Sequence, residues 1–264
     1  MLLLSAGINL NTPTTTPTTT PPANPLHIGI VGCSAEGAAL CYRTICTEGA
    51  QWLGPHAHPE VSLHTHSLAD YVACLESGDM AGVAALMLSS AEKLARLGAD
   101  FLICPDNTIH QALPMVLPQS PLPWLHIAEV VAQEAAQRGW RKVGITGTRW
   151  LVDSDVYPTK LAAQGLAFER PTPQERDAIN HVIMEELVPA RPSKDGEATF
   201  QAVFRRMQSL GCDAVVLGCT EIPLLMSDAN SPLPTLDSTR LLARAALRRA
   251  VGAGLPQAPT PPRD

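Results

Sequence analysis

The stretch LGADFLICPDNTIH, residues 97–110, decides the fold, because the chain repeats its layout in LGCDAVVLGCTEIP, residues 210–223. Each copy has a Leu-Gly-X-Asp turn, a short apolar run and then polar residues. Such a run predicts a buried parallel strand, and the polar residues mark its carboxyl end, where open α/β sheets bind ligands. In the shared register Asp106 aligns with Cys219, so the two strand ends carry different groups at equivalent places.

The segments before these strands repeat as well. HIGIVG, residues 27–32, corresponds to KVGITG, residues 142–147, and apolar strands alternate with helical patterns between each pair of matched segments. This alternation predicts parallel sheets with helices on both faces, and the repeat predicts two copies of one βαβ unit. The predicted fold class is α/β, with two similar αβα domains related by pseudo-two-fold symmetry and the active site in the cleft between them.

The predicted domain boundaries follow from the same pattern. Residues 26–127 together with residues 236–254 are expected to form the first domain, with the last helix packing on it, and residues 128–235 the second. Residues 1–25 and 255–264 are rich in Pro, with Thr especially frequent in the first, and are predicted to be disordered.

The composition excludes several classes of partner. Of the 264 residues 45% are hydrophobic and 17% charged, as in a soluble globular protein, and the net charge of −6 argues against nucleic acid or an anionic membrane. No run reaches the ~18–20 apolar residues of a membrane span, and the N-terminus lacks the features of a signal peptide. Seven cysteines without a CxxC pair predict free thiols and a cytoplasmic location.

Two further kinds of site are disfavoured by residue spacing. His64 and His66, two apart on a predicted strand, would lie on one face and could bind a metal, but no cysteine or carboxylate at ligand spacing completes the set. Gly29, Gly32 and Gly37 do not form the GxGxxG pattern of a dinucleotide site. The sequence therefore predicts neither a metal nor a nucleotide cofactor.

Cys219 and Asp106 are the candidate catalytic residues. Backbone N–H groups after a strand can bind an anion or lower the pKa of a thiol such as Cys219; alternatively, Cys219 is an inert buried thiol. Asp106 is the second candidate; alternatively, it only forms a turn after Pro105 and caps the next helix.

Several segments resemble a known family. VVLGCTEIPLL, residues 215–225, resembles the C-terminal signature of the aspartate/glutamate racemase superfamily. ICPDNTIH, residues 103–110, resembles its N-terminal signature, in which a cysteine normally stands where this chain has Asp106. The segments 27–43 and 144–157 are also similar, and the resemblance extends from His27 to Val251.

The resemblance implies two α/β domains, a substrate in the cleft between them, no cofactor, and a homodimer. Two thiols on opposite faces of the substrate would remove and return its α-proton. Cys219 matches the second thiol and Asp106 takes the place of the first, while Cys104 is interpreted as a buried strand residue. The polar residues after matched strands are expected either to bind a substrate carboxylate or only to stabilise their own turns; they are Ser34, Asn107, Thr108, Thr148 and Thr220.

The replacement of cysteine by aspartate changes the energetics of proton transfer. A free aspartate, with a pKa of ~3.9 against ~8.5 for cysteine, is the weaker base by about 6 kcal/mol, and burial near another anion would raise the pKa of Asp106. The predicted function is a cofactor-independent racemase or epimerase acting at the α-carbon of a small carboxylate, such as aspartate or glutamate, with Cys219 and Asp106 as acid/base groups. The alternatives are a one-thiol decarboxylase or isomerase of a related dicarboxylate, and a non-catalytic binding protein.

Overall fold

Residues 24–252, which the computed structural model describes, contain two four-stranded sheets in which every strand pairing is parallel. The first sheet has the order β2-β1-β3-β4 and comprises β1 (Ile28–Gly32), β2 (Val61–Thr65), β3 (Phe101–Ile103) and β4 (Trp124–Leu125). The second has the order β6-β5-β7-β8 and comprises β5 (Lys142–Thr146), β6 (Ala167–Glu169), β7 (Ala214–Leu217) and β8 (Thr235–Asp237). The strand order is the same in both sheets, and the predicted fold class is confirmed.

Helices connect the strands in both halves. Around the first sheet they are α1 (Ala35–Glu48), α2 (Ala50–Leu53), α3 (Leu68–Ser77), α4 (Met80–Arg96), α5 (Leu113–Val116) and α6 (Ile127–Gln137). After β5 the chain forms α7 (Arg149–Val152), α8 (Val156–Ala163), α9 (Pro173–Val182) and α10 (Lys194–Ser209) around the second sheet, and then α11 (Ser238–Val251), which follows β8. Short 3₁₀ turns span Thr108–Ala112, Leu117–Gln119 and Ile222–Leu224, and a π-helical turn, Ile183–Leu187, continues α9.

The repeated Leu-Gly-X-Asp turn has the same structural role in both halves. Gly98 and Gly211 follow α4 and α10 with φ of 89° and 82°, a left-handed conformation that glycine adopts without strain. Asp100 accepts a hydrogen bond from the backbone N–H of His27 at 2.7 Å, and Asp213 accepts one from that of Arg141 at 2.7 Å. The turn therefore ends a helix. It also joins the start of β3 to the start of β1 in the first sheet, and the start of β7 to the start of β5 in the second.

One hydrophobic core is shared by the two sheets. It contains Ile30 and Ile103 of the first sheet and Ile145 and Val216 of the second, together with residues of α6 and α11. Separate clusters cover the opposite faces, with Met87 of α4 on the first sheet and Phe204 of α10 on the second. Helices therefore cover both sheets while their facing sides pack into one body.

The C-terminal helix α11 packs against α1 of the first half, as the sequence predicted, and against α6, the helix that connects β4 to β5. β8, which precedes α11, pairs with β7, so the predicted boundary at residue 235 lies at the first residue of β8. The predicted disordered tails lie outside the described residues, apart from Asn24 and Pro25. In the described range, no helix combines the length and the apolar composition needed to cross a membrane.

Candidate active site

The carboxyl ends of β1, β3, β5 and β7 meet at a cavity of about 70 Å³ between the two halves. Its lining includes all seven residues that the sequence singled out: Ser34, Asp106, Asn107, Thr108, Thr148, Cys219 and Thr220. They come together because the carboxyl ends of parallel strands share one edge of a sheet, and the two edges face each other here. The structure thus places all the predicted site residues in one cavity.

Close backbone packing positions Cys219. A Cβ atom on Gly218, which follows β7, would collide with the carbonyl oxygen of Thr146 at the end of β5. Gly147, the residue after β5, has a φ of 153° and lies against Gly218. The two chain segments can approach this closely only because both positions are glycine. As a consequence, Cys219, the second residue after β7, lies at the cavity wall.

The Cys219 thiol forms a pair with Glu221. Its Sγ donates to Oε2 of Glu221 at 3.0 Å, and the Thr220 hydroxyl donates to the same oxygen at 2.7 Å. Burial and the negative charge of Glu221 raise the pKa of Cys219 well above its usual range. The option of a lowered pKa, which the sequence suggested, is therefore wrong. Cys219 therefore rests as a neutral thiol that donates a hydrogen bond to Glu221.

Asp106 caps a turn and has a carboxyl group whose pKa is raised. Its Oδ1 accepts from the backbone N–H of Ile109 at 3.1 Å, and its carbonyl oxygen lies 2.6 Å from Nδ1 of His110. Burial is the largest influence on its pKa and raises it to about 6, assisted by the charge of Glu221 and opposed by the bond from Ile109. Asp106 therefore caps the turn after β3, as the alternative interpretation predicted, and the raised pKa brings its carboxyl group closer to neutral pH than that of a free aspartate.

Two hydroxyl pairs join the halves across the cavity. Ser34 and Thr220 have their hydroxyl oxygens 3.0 Å apart, and those of Thr108 and Thr148 are 2.9 Å apart. Ser34 also accepts from the N–H of Gly37 as the N-cap of α1, which has 14 residues. These hydroxyls and the first turn of α1 are suitable donors for a substrate carboxylate, although each hydroxyl also stabilises a turn or a partner.

Asn107 lies in a network that the sequence did not reveal. Its Nδ2 donates to the Ser238 hydroxyl at 2.9 Å, and its Oδ1 accepts from the Tyr157 hydroxyl at 2.7 Å. Asn107 is 2% exposed, and Ser238 and Tyr157 are also buried. The network fixes the chain after β3 to α8 and α11, so it stabilises the position of the neighbouring Asp106.

Cys33 is a cavity residue that the sequence analysis missed. It follows β1 directly, lies next to Ser34 and lines the cavity. It lines the cavity together with Asp106, and the two side chains lie near enough for each to influence the pKa of the other. Burial raises its pKa well above the usual range, and the charge of Asp106 adds to this effect. Its position at the end of a strand in a matched motif was the signal available in the sequence.

The remaining cavity wall is apolar. It is formed by Leu68, Val72, Leu75, Trp150, Ile183, Met184 and Val188. Among the described residues, no lysine, arginine or histidine lines the cavity, whereas Asp106 and Glu221 do. The guanidinium of Arg149 stacks on Trp150 at 4.8 Å and does not itself form part of the lining. The cavity thus combines two carboxyl groups with an apolar surface.

Cys104 and His64, which the sequence analysis considered, do not line the cavity. Cys104 is fully buried in the core on one face of the first sheet, in line with its interpretation as a buried residue. His64 has one ring nitrogen 2.9 Å from the Ser90 hydroxyl and the other 3.1 Å from Nζ of Lys93. Within residues 24–252 no three or more His, Cys, Asp or Glu side chains are arranged so that they could hold a metal ion.

The sequence is similar to those of known racemases. The family model described as Asp/Glu/Hydantoin racemase matches residues 29–246. A broad specificity amino-acid racemase of Bacillus subtilis is 24% identical over 159 residues, covering 60% of this chain and 68% of that protein. A glutamate racemase of Thermus thermophilus is 28% identical over 166 residues, covering 61% of this chain and 60% of that protein, less than two thirds of its length.

Solved structures show the same fold. A Yersinia pestis protein assigned to the Asp/Glu racemases has a TM-score of 0.79 at 28% identity, covering 86% of this chain and 100% of that one. An aspartate racemase homologue from Pyrococcus horikoshii has a TM-score of 0.74 at 26% identity, covering 86% and 99%. The described fold is therefore shared over almost the full length of these two proteins.

Proposed function

The chain belongs to the Asp/Glu/hydantoin racemase family, and on that premise we propose that it is a cofactor-independent racemase acting at the α-carbon of a small amino acid. The observation that carries the proposal is the pairing, in one cavity, of the Cys219 thiol from the second half with the Asp106 carboxyl group from the first. Groups that approach from two halves can move a proton on two faces of one carbon atom, which inversion requires.

The protonation states of these groups suit proton transfer. Cys219 carries a proton that Glu221, 3.0 Å away, can accept as the thiol takes up the α-proton of the substrate. Asp106, with its pKa raised to about 6 by burial, holds or releases a proton near neutral pH. The proposed catalytic groups are thus Cys219 and Asp106, and the surrounding hydroxyls are proposed to bind the α-carboxylate.

The cavity wall favours a substrate with an uncharged side chain. Aspartate and glutamate, the substrates suggested by the family resemblance, carry a second carboxylate that would meet apolar side chains and two protein carboxyl groups. Burying a carboxylate without a cationic or hydrogen-bonding partner costs several kcal/mol, on the order of three powers of ten in affinity. By contrast, the α-ammonium group of any amino acid would be stabilised by Asp106 and Glu221.

The experiment is α-proton exchange in deuterated water. Both enantiomers of alanine, leucine, methionine, aspartate and glutamate are incubated with the protein, exchange is followed by proton NMR and inversion by circular dichroism. We expect exchange with inversion, fastest for the uncharged side chains. Exchange without inversion would instead support the one-thiol decarboxylase or isomerase, and binding without exchange a non-catalytic protein.

Cys219→Ser is the decisive variant for this proposal. The change is small, so the fold should persist while turnover falls by at least about 10²-fold, because a hydroxyl is a far weaker acid than a thiol at this site. Cys46→Ser is the matched control, because Cys46 is a partly buried thiol on α1 outside the cavity. If Cys219→Ser keeps more than a few per cent of the activity, Cys219 does not transfer the proton.

The assembly proposed from the family resemblance is a homodimer. Light scattering on the purified chain measures its mass directly against the monomer mass of 28.1 kDa. A monomer at micromolar concentration would contradict this part of the proposal without affecting the catalytic part.

A further inference from the structure

The cavity contains two thiol–carboxyl pairs, one from each half of the molecule. Cys219 and Glu221 form the first, and Cys33 and Asp106 form the second. We propose that Cys33, rather than Asp106, exchanges the proton with the substrate on the side of the first half, and that Asp106 supplies and removes the proton of Cys33. This inference rests on the proposed racemase function and replaces direct proton transfer by Asp106 with transfer through Cys33, for which Asp106 is the proton partner.

The positions of the two thiols support this assignment. Cys33 is the first residue after β1 of the first sheet, Cys219 is the second residue after β7 of the second, and both line the same cavity. Cys219 donates to the Glu221 carboxylate at 3.0 Å, and Cys33 lines the cavity beside the Asp106 carboxyl group. The resulting arrangement has the same chemical groups on both sides, although the chain positions differ: the first half carries its thiol after β1 and its carboxyl group after β3.

The chemistry favours Cys33 over Asp106 as the group that touches the α-carbon. With its pKa raised to about 6, Asp106 is a weaker base than an ordinary thiolate of pKa ~8.5 by about 2.5 units, or roughly 300-fold. It is also fixed in place by capping Ile109. As a partner of Cys33, in contrast, a carboxyl group that titrates near neutral pH can pass a proton in either direction without leaving its cap.

The proton balance of the proposed step closes. Glu221 takes the proton of Cys219 while Cys219 takes the α-proton from one face of the substrate. Cys33 donates its proton to the opposite face of the resulting carbanion, and protonated Asp106 donates its proton to Cys33. Both thiols end as they began, and the proton that was on Asp106 is balanced by the one gained by Glu221. The reverse sequence converts the other enantiomer.

Both thiols are neutral in this scheme before and after turnover, which agrees with the environment of each. Burial and neighbouring carboxyl groups disfavour the thiolate of Cys33 and that of Cys219 alike. Each thiol is therefore charged only while its proton is in transit.

The test measures exchange separately for the two enantiomers in Cys33→Ala, with Cys33→Ser as the conservative variant and Cys46→Ala as the control. Cys33→Ala should lose inversion by at least 10²-fold, while Cys219 continues to exchange the α-proton of one enantiomer without inverting it. Cys219→Ala should retain exchange of the opposite enantiomer only. If Cys33→Ala inverts its substrate within a few-fold of the wild-type rate, Asp106 transfers the proton directly and the inference is wrong.

A second measurement does not depend on turnover. The rate at which iodoacetamide alkylates Cys33 is followed by mass spectrometry from pH 6 to 9 in the wild type and in Asp106→Asn. Removing the adjacent negative charge should favour the thiolate and increase the rate at pH 7.5 by about tenfold or more, the effect of one pKa unit. An unchanged rate would show that Cys33 and Asp106 are not paired, which overturns the inference.

The two measurements separate the inference from the proposed function. A wild-type protein that exchanges no α-proton of any amino acid would refute the racemase and, with it, the role of Cys33 in turnover. The alkylation result would still establish whether the thiol–carboxyl pair exists. Racemisation by the wild type together with full activity of Cys33→Ala would refute the inference alone.

Discussion

The partly buried carboxyl group of Asp106 should make the stability of the protein depend on pH in a defined way. Its pKa is raised from 3.8 to about 6, mainly by burial. A carboxyl group with a raised folded-state pKa contributes stability below its unfolded pKa, and this contribution is lost as the pH rises through the folded value. The window for Asp106 therefore lies between about pH 4 and pH 6, and the protein should be destabilised at its upper end.

The magnitude follows from the shift. About 2.2 pKa units at 1.36 kcal/mol each correspond to a loss of about 3 kcal/mol in the free energy of unfolding, as an order of magnitude. Asp106→Asn removes the titration and has a similar shape, with an amide oxygen that can accept from Ile109. The free energy of unfolding of Asp106→Asn minus that of the wild type should therefore increase by about 2.4 kcal/mol between pH 4 and pH 7, somewhat less than the full value because pH 4 lies close to the unfolded pKa of 3.8.

Urea denaturation at pH 4, 5, 6 and 7, followed by circular dichroism, measures this difference. Asp195→Asn, in the first turn of α10 and exposed, controls for the loss of one charge from the molecule. A difference between Asp106→Asn and wild type that stays constant to within about 0.5 kcal/mol over this range would refute the reasoning, because surface substitutions alone produce effects of that size. It would also remove the basis for proton exchange by Asp106 near neutral pH.

Three further predictions address the surroundings of the site. Glu221→Gln removes a charge that raises the pKa of Cys219, so alkylation of Cys219 at pH 7.5 should become faster while racemisation becomes slower. Slower alkylation would contradict the pairing of Cys219 with Glu221. Gly218→Ala places a Cβ against the Thr146 carbonyl and should cost about 1–3 kcal/mol in urea denaturation and most of the activity; unchanged values would show that the backbone there can yield. Tyr157→Phe leaves Oδ1 of Asn107 without its donor and should cost about 1–3 kcal/mol, whereas a stability equal to that of the wild type would mean that another donor takes its place.

The sequence determined the architecture because the signals for it are local. The glycines at 98 and 211 end their helices in a left-handed conformation, and the aspartates at 100 and 213 bind the backbone of the strand beside them. These interactions depend on residue type and near spacing, so a repeat in the letters predicts a repeat in the fold. The location of the site follows from the same cause, since the polar residues after parallel strands must share one edge.

The chemistry of the site was decided only by the tertiary structure. Cys33 and Asp106 are brought together by the pairing of β1 with β3 across 73 positions of chain, and nothing near either residue indicates the contact. In the same way the Asn107 network draws on Tyr157 and Ser238 from other elements. Such contacts join residues whose types are unremarkable by themselves, so local patterns carry no signal for them.

The direction of each pKa shift likewise required the folded molecule. From the sequence, Cys219 could have had a lowered pKa through nearby backbone N–H groups; the structure shows that burial and the charge of Glu221 raise it. For Asp106 the sequence indicated only that burial near another anion would raise the pKa. Residue identity determines which groups can titrate, but the free energy of charging them depends on the water excluded and the charges gathered around them, and those are properties of the folded chain alone.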